Sequence, residues 1–245
     1  MSENKAEVKP YNNSQSKKSQ VSKMFDNIAP WYDFLNHFLS LGIDITWRKA
    51  AIESLKPYNP RKILDVATGT ADLAIEAAKQ LSPDLIIGVD IANEMLEIGR
   101  KKIDKPGIRN IIELRHGDSE KLPFEDNTFD AVTVAFGVRN FEKLQQGITE
   151  MHRVLAPKGR LVILEFSKPT LFPFKQLFNL YFKYILPLIG RVTSKDPKAY
   201  EYLYQSVQEF PDGQNFVDFL QNIGFQSIKH KPLTLGICTL YCGNK

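Results

Sequence analysis

Cysteine is scarce in this sequence: among 245 residues there are two, Cys238 and Cys242, at a C-x3-C spacing. On a strand that spacing places both on one face, too far apart to bridge easily, so no disulfide framework is expected. With no further Cys and no nearby His pair, no zinc site is expected either. Long apolar runs are also missing. No stretch of about 18 uninterrupted apolar residues exists to form a transmembrane helix, and the opening MSENKAEVKP lacks the apolar core of a signal peptide. The expected compartment is therefore reducing and cytoplasmic. Charge of one sign is absent too, with 32 basic against 28 acidic residues and a net +4. That balance does not support a nucleic-acid partner. Large apolar side chains are nearly missing from residues 1–22, which read as a disordered, mildly basic tail.

What is present is ordinary for a globular enzyme: 43% apolar and 24% charged residues. From Arg61 onward, short apolar runs alternate with longer amphipathic ones. Strands are expected at Lys62–Val66, Leu85–Asp90, Ile111–Arg115, Phe129–Ala135 and Arg160–Phe166. Helices are expected over Asp72–Leu81, from a capping Asn93 through Ile103, and over Leu144–Leu155. Continuous apolar strands separated by helices imply an α/β fold with a doubly wound, mostly parallel sheet covered on both faces. Ser227–His230 and Cys238–Cys242 have no helix between them and should close the sheet as an antiparallel hairpin. Residues 23–245 then form one domain: a helical lid (23–60), a cofactor-binding core (61–166) and a helical insertion facing substrate or lipid (170–212).

In such a sheet, ligands sit beyond the C-terminal ends of the central strands. There the first strand runs into Asp65-Val66-Ala67-Thr68-Gly69-Thr70-Ala71-Asp72, and the second ends at Asp90. A small-residue turn lets backbone N–H groups approach a ligand, and an acid about 20 residues later can accept from both ribose hydroxyls. A nicotinamide dinucleotide requires G-x-G-x-x-G; this loop holds one glycine, and Asp72 would repel a pyrophosphate while suiting a cation. S-adenosylmethionine, a nucleoside with a sulfonium, fits better. After the third strand, Gly117-Asp118-Ser119 offers a carboxylate for an adenine amino group and a backbone contact for a ring nitrogen. This series resembles that of the class I S-adenosylmethionine methyltransferases, whose loops usually carry more glycine. Ala67 and Ala71 stand in two of those places, and the loop is expected to stay right-handed there.

Narrower motifs are Trp31-Tyr32-Asp33-Phe34-Leu35-Asn36, Ser40-Leu41-Gly42-Ile43 with Trp47-Arg48, Phe136-Gly137-Val138-Arg139-Asn140, Leu164-Glu165-Phe166-Ser167-Lys168-Pro169, and Tyr202-Leu203 with Phe210-Pro211. From about residue 21 to the end, this set resembles the ubiquinone/menaquinone biosynthesis C-methyltransferase family. The resemblance implies S-adenosylmethionine as cofactor, held by Gly69, Thr70, Asp90, Asp118 and Ser119. It implies C-methylation of a reduced polyprenyl quinone, demethylmenaquinol first and a ubiquinone-precursor benzoquinol as the alternative. Ala135 replaces a serine that some members carry. Other methyl acceptors, and a non-catalytic binding subunit of the same fold, stay open, as does a homo-oligomer.

An aromatic carbon becomes nucleophilic when a neighbouring hydroxyl loses its proton, so the chemistry needs alignment and phenolate stabilisation. Neither a metal nor a covalent intermediate is required. Arg139 is the candidate for the phenolate, with structural pairing to Glu165 as an equal reading. Asn140 would orient the quinol oxygen or cap the next helix. Tyr200, Tyr202 and His37 are weaker candidates, each as well explained by packing or surface exposure. Leu171 to Leu186 is unusually aromatic, with Lys175, Asn179 and Lys183 forming one polar stripe on a helix. An ordinary buried helix explains that pattern. So does a wall for a prenyl tail, or a peripheral contact with the inner face of the membrane.

Overall fold

A computed structural model describes residues 8–11, 13–181, 184 and 197–245. The chain opens with two helices, α1 (Lys17–Leu39) and α2 (Ile43–Glu53). The core then alternates β1 (Lys62–Val66), α3 (Asp72–Gln80), β2 (Leu85–Asp90), α4 (Asn93–Ile103), β3 (Ile112–His116), β4 (Phe129–Ala135), α5 (Leu144–Val154) and β5 (Leu155–Phe166). Helices α6 (Phe174–Leu180), α7 (Pro197–Glu209) and α8 (Gln214–Ile223) precede the hairpin β6 (Gln226–Leu233) and β7 (Cys238–Asn244). The seven strands form one sheet in the order β3-β2-β1-β4-β5-β7-β6. β1 to β5 pair in parallel, while β7 runs antiparallel between β5 and β6. The strand order reverses beside β1, which opens a crevice between β1 and β4 for ligand.

Alternation along the strands divides the core between two faces. Leu64, Val66, Ile87, Val89, Val132 and Val134 pack toward α5 and α8. Ile63, Ile86 and Ala131 pack on the opposite face, with Trp47 and Ile52 of α2, Leu73 and Ala77 of α3, and Leu96 of α4. Both cysteines are free: Cys238 is buried and Cys242 half-buried, in the second of these clusters. Burial pushes both thiols up, which suits inert core residues.

Three sequence expectations change. Order reaches further toward the N-terminus than residue 23. Helix α1 begins at Lys17, and Gln20 and Val21 are buried. Gln20 uses its side chain locally, accepting from the Tyr11 N–H at 2.8 Å and donating to the Gln15 carbonyl at 2.8 Å. Asn93 does not cap α4; Ala92 precedes the helix, and Asp26 of α1 accepts from the Glu94 N–H at 2.9 Å. Finally, Ala67 and Ala71 are left-handed, with φ of 52° and 67°, on either side of Gly69 at 56°. The turn requires that hand, and the alanines accept it at a cost of about 1–2 kcal/mol each.

The third face of the molecule is built by α1, α6 and α7, where Val21, Met24, Phe178, Ala199 and Tyr202 form a separate apolar cluster. Phe178 is buried in this cluster and also lines a cavity beside it, while Leu177 and Leu180 are exposed. Lys183, Phe182 and Ile185 of the aromatic segment lie outside the described residues, as does the side chain of Tyr200. Among the described residues no helix is long and apolar enough to cross a membrane.

Candidate active site

Two cavities meet at the C-terminal rim of the sheet. The first, about 60 Å³, lies over the β1–α3 turn and is lined by Ala67, Gly69, Asp90, Asp118, Ser119 and Ala135, with Lys18, Val21 and Phe25 of α1 across it. The second, about 420 Å³, is mostly apolar and lies between α1, α2, α6 and α7. Phe25, Tyr32, Phe136 and Asn140 line both. These four side chains form the partition.

Asp90 is fixed before any ligand arrives. Its carboxylate accepts from the Gly69 N–H at 2.8 Å and the Ala92 N–H at 2.9 Å. Burial raises its pKa, and those backbone donors partly offset the rise. The loop lies close against β4: a Cβ on Gly137 would stand 2.6 Å from the Ala67 methyl. Asp65, at the end of β1, is buried beneath the turn and accepts from Thr68 Oγ1 at 2.6 Å and Thr133 Oγ1 at 2.7 Å. Burial pushes its pKa up to about 6 against those two hydroxyl bonds. Asp118 accepts from the Glu120 N–H at 2.9 Å and from Lys18 Nζ at 2.7 Å, and the same ammonium reaches Glu120 at 2.7 Å. Lys18 thereby ties α1 across the mouth of this cavity.

Four of the five expected cofactor residues, Gly69, Asp90, Asp118 and Ser119, therefore line one cavity, and Thr70 does not. Its hydroxyl donates to Asp33 Oδ1 at 2.6 Å and accepts from Lys102 Nζ at 3.1 Å. Asp72 likewise faces away, paired with Lys102 and lying 3.7 Å from Arg48. Its charge is already balanced, so the discrimination against a pyrophosphate expected of it is not made there. The partners come from α1, α2 and α4, and no local spacing announces them.

In the second cavity, Arg139 Nη1 donates to Glu165 Oε1 at 2.6 Å and to the Phe136 carbonyl at 2.6 Å. The structural pairing with Glu165 is real, yet it does not remove Arg139 from the cavity wall. Its guanidinium carbon stands 5.2 Å from the centre of the Phe166 ring. Asn140 does not cap a helix; its Nδ2 donates to the Phe136 carbonyl at 3.3 Å. Arg139 Nε and Asn140 Oδ1 are buried and, among the described residues, have no hydrogen-bond partner. Tyr32 was not singled out by the sequence beyond its motif. Burial raises its phenol pKa against an Asn36 hydrogen bond that lowers it, so the hydroxyl stays protonated between the cavities. His37 does not line the cavity; its Nδ1 lies 2.9 Å from Asp44 Oδ2.

The ubiE/COQ5 methyltransferase family model matches residues 13–245. The chain belongs to that family. It is 50% identical over 238 residues to the demethylmenaquinone methyltransferase of Bacteroides fragilis, covering 97% of each chain. It is 46% identical over 230 residues to the ubiquinone/menaquinone biosynthesis C-methyltransferase UbiE of Geotalea uraniireducens, covering 94% of this chain and 97% of that one. Among solved structures, a SAM-dependent methyltransferase from Thermotoga maritima superposes with a TM-score of 0.64 at 17% identity, over 91% of this chain and 98% of that one. One from Methanococcus maripaludis superposes with a TM-score of 0.59 at 19% identity, over 100% and 97%. These structural likenesses carry the fold. Family membership comes from the sequence matches.

Proposed function

We propose that the chain moves the methyl group of S-adenosylmethionine onto a ring carbon of a reduced polyprenyl naphthoquinol, converting demethylmenaquinol to menaquinol. The observation that carries this reading is the partition: a nucleoside-type cavity and a larger apolar cavity share Phe25, Tyr32, Phe136 and Asn140. Relatives named for demethylmenaquinone and for ubiquinone/menaquinone methylation, each matched over nearly the whole chain, support the substrate class.

The sulfonium supplies an activated methyl group and a neutral leaving sulfide. The side chains supply position and charge. Asp90 holds the ribose hydroxyls, while the left-handed turn 67–71 brings backbone close to the ligand. Asp118 accepts from the adenine amino group once Lys18 gives way. Lys18, Val21 and Phe25 place α1 across this cavity, where it covers the bound ligand. Beyond the partition, Phe136 and Phe166, with ring centres 4.7 Å apart, make an aromatic floor for the acceptor. Arg139 places a permanent cation beside the oxygen on which phenolate charge develops. Asn140 offers Oδ1, which has no partner among the described residues, to a quinol hydroxyl.

Leu41, Leu177 and Ile43, exposed side chains that also line this cavity, give a prenyl chain an apolar way out. A peripheral position at a membrane face follows for a substrate of that kind. The test is anaerobic incubation with methyl-labelled S-adenosylmethionine and either a demethylated naphthoquinol or a benzoquinol. Label is expected on the naphthoquinol ring carbon. Transfer to the benzoquinol alone would move the chain to the ubiquinone branch, and transfer to neither would end the reading.

A further inference from the structure

The acceptor cavity carries a carboxylate that methyl transfer itself does not use. Asp44, in the first turn of α2, is 3% exposed and lines the same cavity as Arg139. Three donors hold it. Ser40 Oγ donates to Oδ1 at 2.6 Å, Arg48 Nη1 donates to Oδ2 at 2.5 Å, and His37 Nδ1 lies between the two oxygens, 2.9 Å from Oδ2 and 3.2 Å from Oδ1. An ionised carboxylate has about four lone-pair sites and no donor of its own. Three donors bring three protons to these sites, His37 sharing its one between both oxygens, so among the described residues room for one further donor remains.

The neighbours keep the group in its acceptor-only form. Burial pushes the Asp44 carboxyl up, but Ser40, the Arg48 charge and His37 together bring it below the ordinary carboxylate value. The positive charge in reach does not compete for a ligand, because Arg48 is turned to carboxylates at both ends, Asp44 by Nη1 and Asp72 by Nη2. Arg48 also lies 5.9 Å from the Phe136 ring centre, at the aromatic floor.

A quinol and its quinone have nearly the same size and shape, so an apolar cavity barely separates them. They differ in hydrogen bonding: the quinol hydroxyl donates, and the quinone carbonyl only accepts. Only the quinol can form the phenolate that attacks a methyl group, so bound quinone would block the site. We propose that Asp44 reads the oxidation state of the acceptor, its carboxylate receiving a hydrogen bond from a quinol hydroxyl and repelling the carbonyl that replaces it in the quinone. A site built to bond a hydroxyl discriminates strongly against an analogue lacking one, since its buried polar group is then left unpaired. The inference rests on the quinol methylation proposed above and adds the residue that sets its redox specificity.

The experiment measures binding of a one-isoprene demethylated naphthoquinone, in its reduced form under argon and in its oxidised form, to protein saturated with S-adenosylhomocysteine. The wild-type chain should bind the quinol at least tenfold more tightly than the quinone. In Asp44→Asn the amide nitrogen can donate to a carbonyl, so the ratio should fall to within about threefold, with the quinone binding more tightly than before. Ser40→Ala, which keeps the carboxylate, should retain the ratio. Equal binding of both forms by the wild-type chain overturns the proposal even if Asp44→Asn does not fold, and so does an unchanged ratio in that variant. Wild-type turnover of the quinol, measured alongside, separates this outcome from failure of the methyltransferase reading itself.

Discussion

Arg139 is held from behind by Glu165: the Nη1–Oε1 distance is 2.6 Å, with side-chain exposures of 7% and 0%. Glu165 also accepts from the Arg139 and Phe166 backbone N–H groups. The cation facing the acceptor cavity is therefore fixed by β5. Removing one partner strands the other in a dry site. Glu165→Gln should destabilise the fold by about 3–5 kcal/mol, read by denaturant unfolding, and should slow turnover while S-adenosylhomocysteine affinity holds. Arg139→Lys keeps the charge but loses the planar fork, and kcat should fall at least tenfold. Full activity in Arg139→Lys would mean that Arg139 contributes packing alone.

Asn140 permits a cleaner separation of structure from chemistry. Its Oδ1 has no partner among the described residues, and its Nδ2 makes one long bond to the Phe136 carbonyl. Asn140→Leu should thus cost only about 1 kcal/mol of stability, yet reduce kcat by about a hundredfold. Steady-state kinetics beside thermal unfolding decide this. A large loss of stability with normal kcat would contradict the assignment.

The turn under the cofactor makes a steric prediction. A methyl on Gly137 would meet the Ala67 methyl at 2.6 Å. Gly137→Ala should lose about 1–3 kcal/mol and bind S-adenosylhomocysteine more weakly. Adding Ala67→Gly should recover part of both. Ala67→Gly alone should be nearly neutral, because relief of the left-handed strain is offset by about 0.5–1 kcal/mol of unfolded-chain entropy. Chemical denaturation of the three variants forms a double-mutant cycle, and strict additivity would show that the two residues do not touch.

Asp65 gives a pH signature. Its folded pKa of about 6 lies above the ordinary value of 3.8. The folded state therefore binds its proton more tightly than the unfolded chain does. Stability from this group is fully present below about pH 4 and is lost as pH rises through about 6, a swing of about 3 kcal/mol. Asp65→Asn should flatten that part of the stability–pH curve and leave the wild-type chain less stable than the variant near pH 7. An identical slope in the two proteins would contradict the burial argument.

Much of the fold was legible in the sequence because its strands are continuous apolar runs. Lys62–Val66 and Phe129–Ala135 emerge with the expected ends, and the hairpin Gln226–Leu233 with Cys238–Asn244 is antiparallel as its missing crossover helix implied. The start of α1 was hidden because its order is tertiary: Lys18 is polar by composition and gains its partners, Asp118 and Glu120, a hundred positions away. The handedness at Ala67 and Ala71 was hidden as well, since alanine disfavours it and loop closure imposes it. Asp90, Asp118 and Ser119 could be placed because strand ends in a doubly wound sheet converge on one rim. Thr70 and Asp72 could not, because Asp33, Arg48 and Lys102 reach them from three other helices. The partition residues Phe25 and Tyr32 sit on α1, which the alternation of strands and helices does not position at all.

The central claim is that donor and acceptor cavities adjoin across Asn140 and Tyr32. A bisubstrate ligand, S-adenosylhomocysteine joined at sulfur through one methylene to a naphthol ring, tests it by isothermal titration. Occupying both cavities at once should make it bind at least a hundredfold more tightly than S-adenosylhomocysteine alone, and Asn140→Leu should reduce that gain. Affinity no better than that of S-adenosylhomocysteine, or weaker, would mean that the two cavities do not serve one reaction.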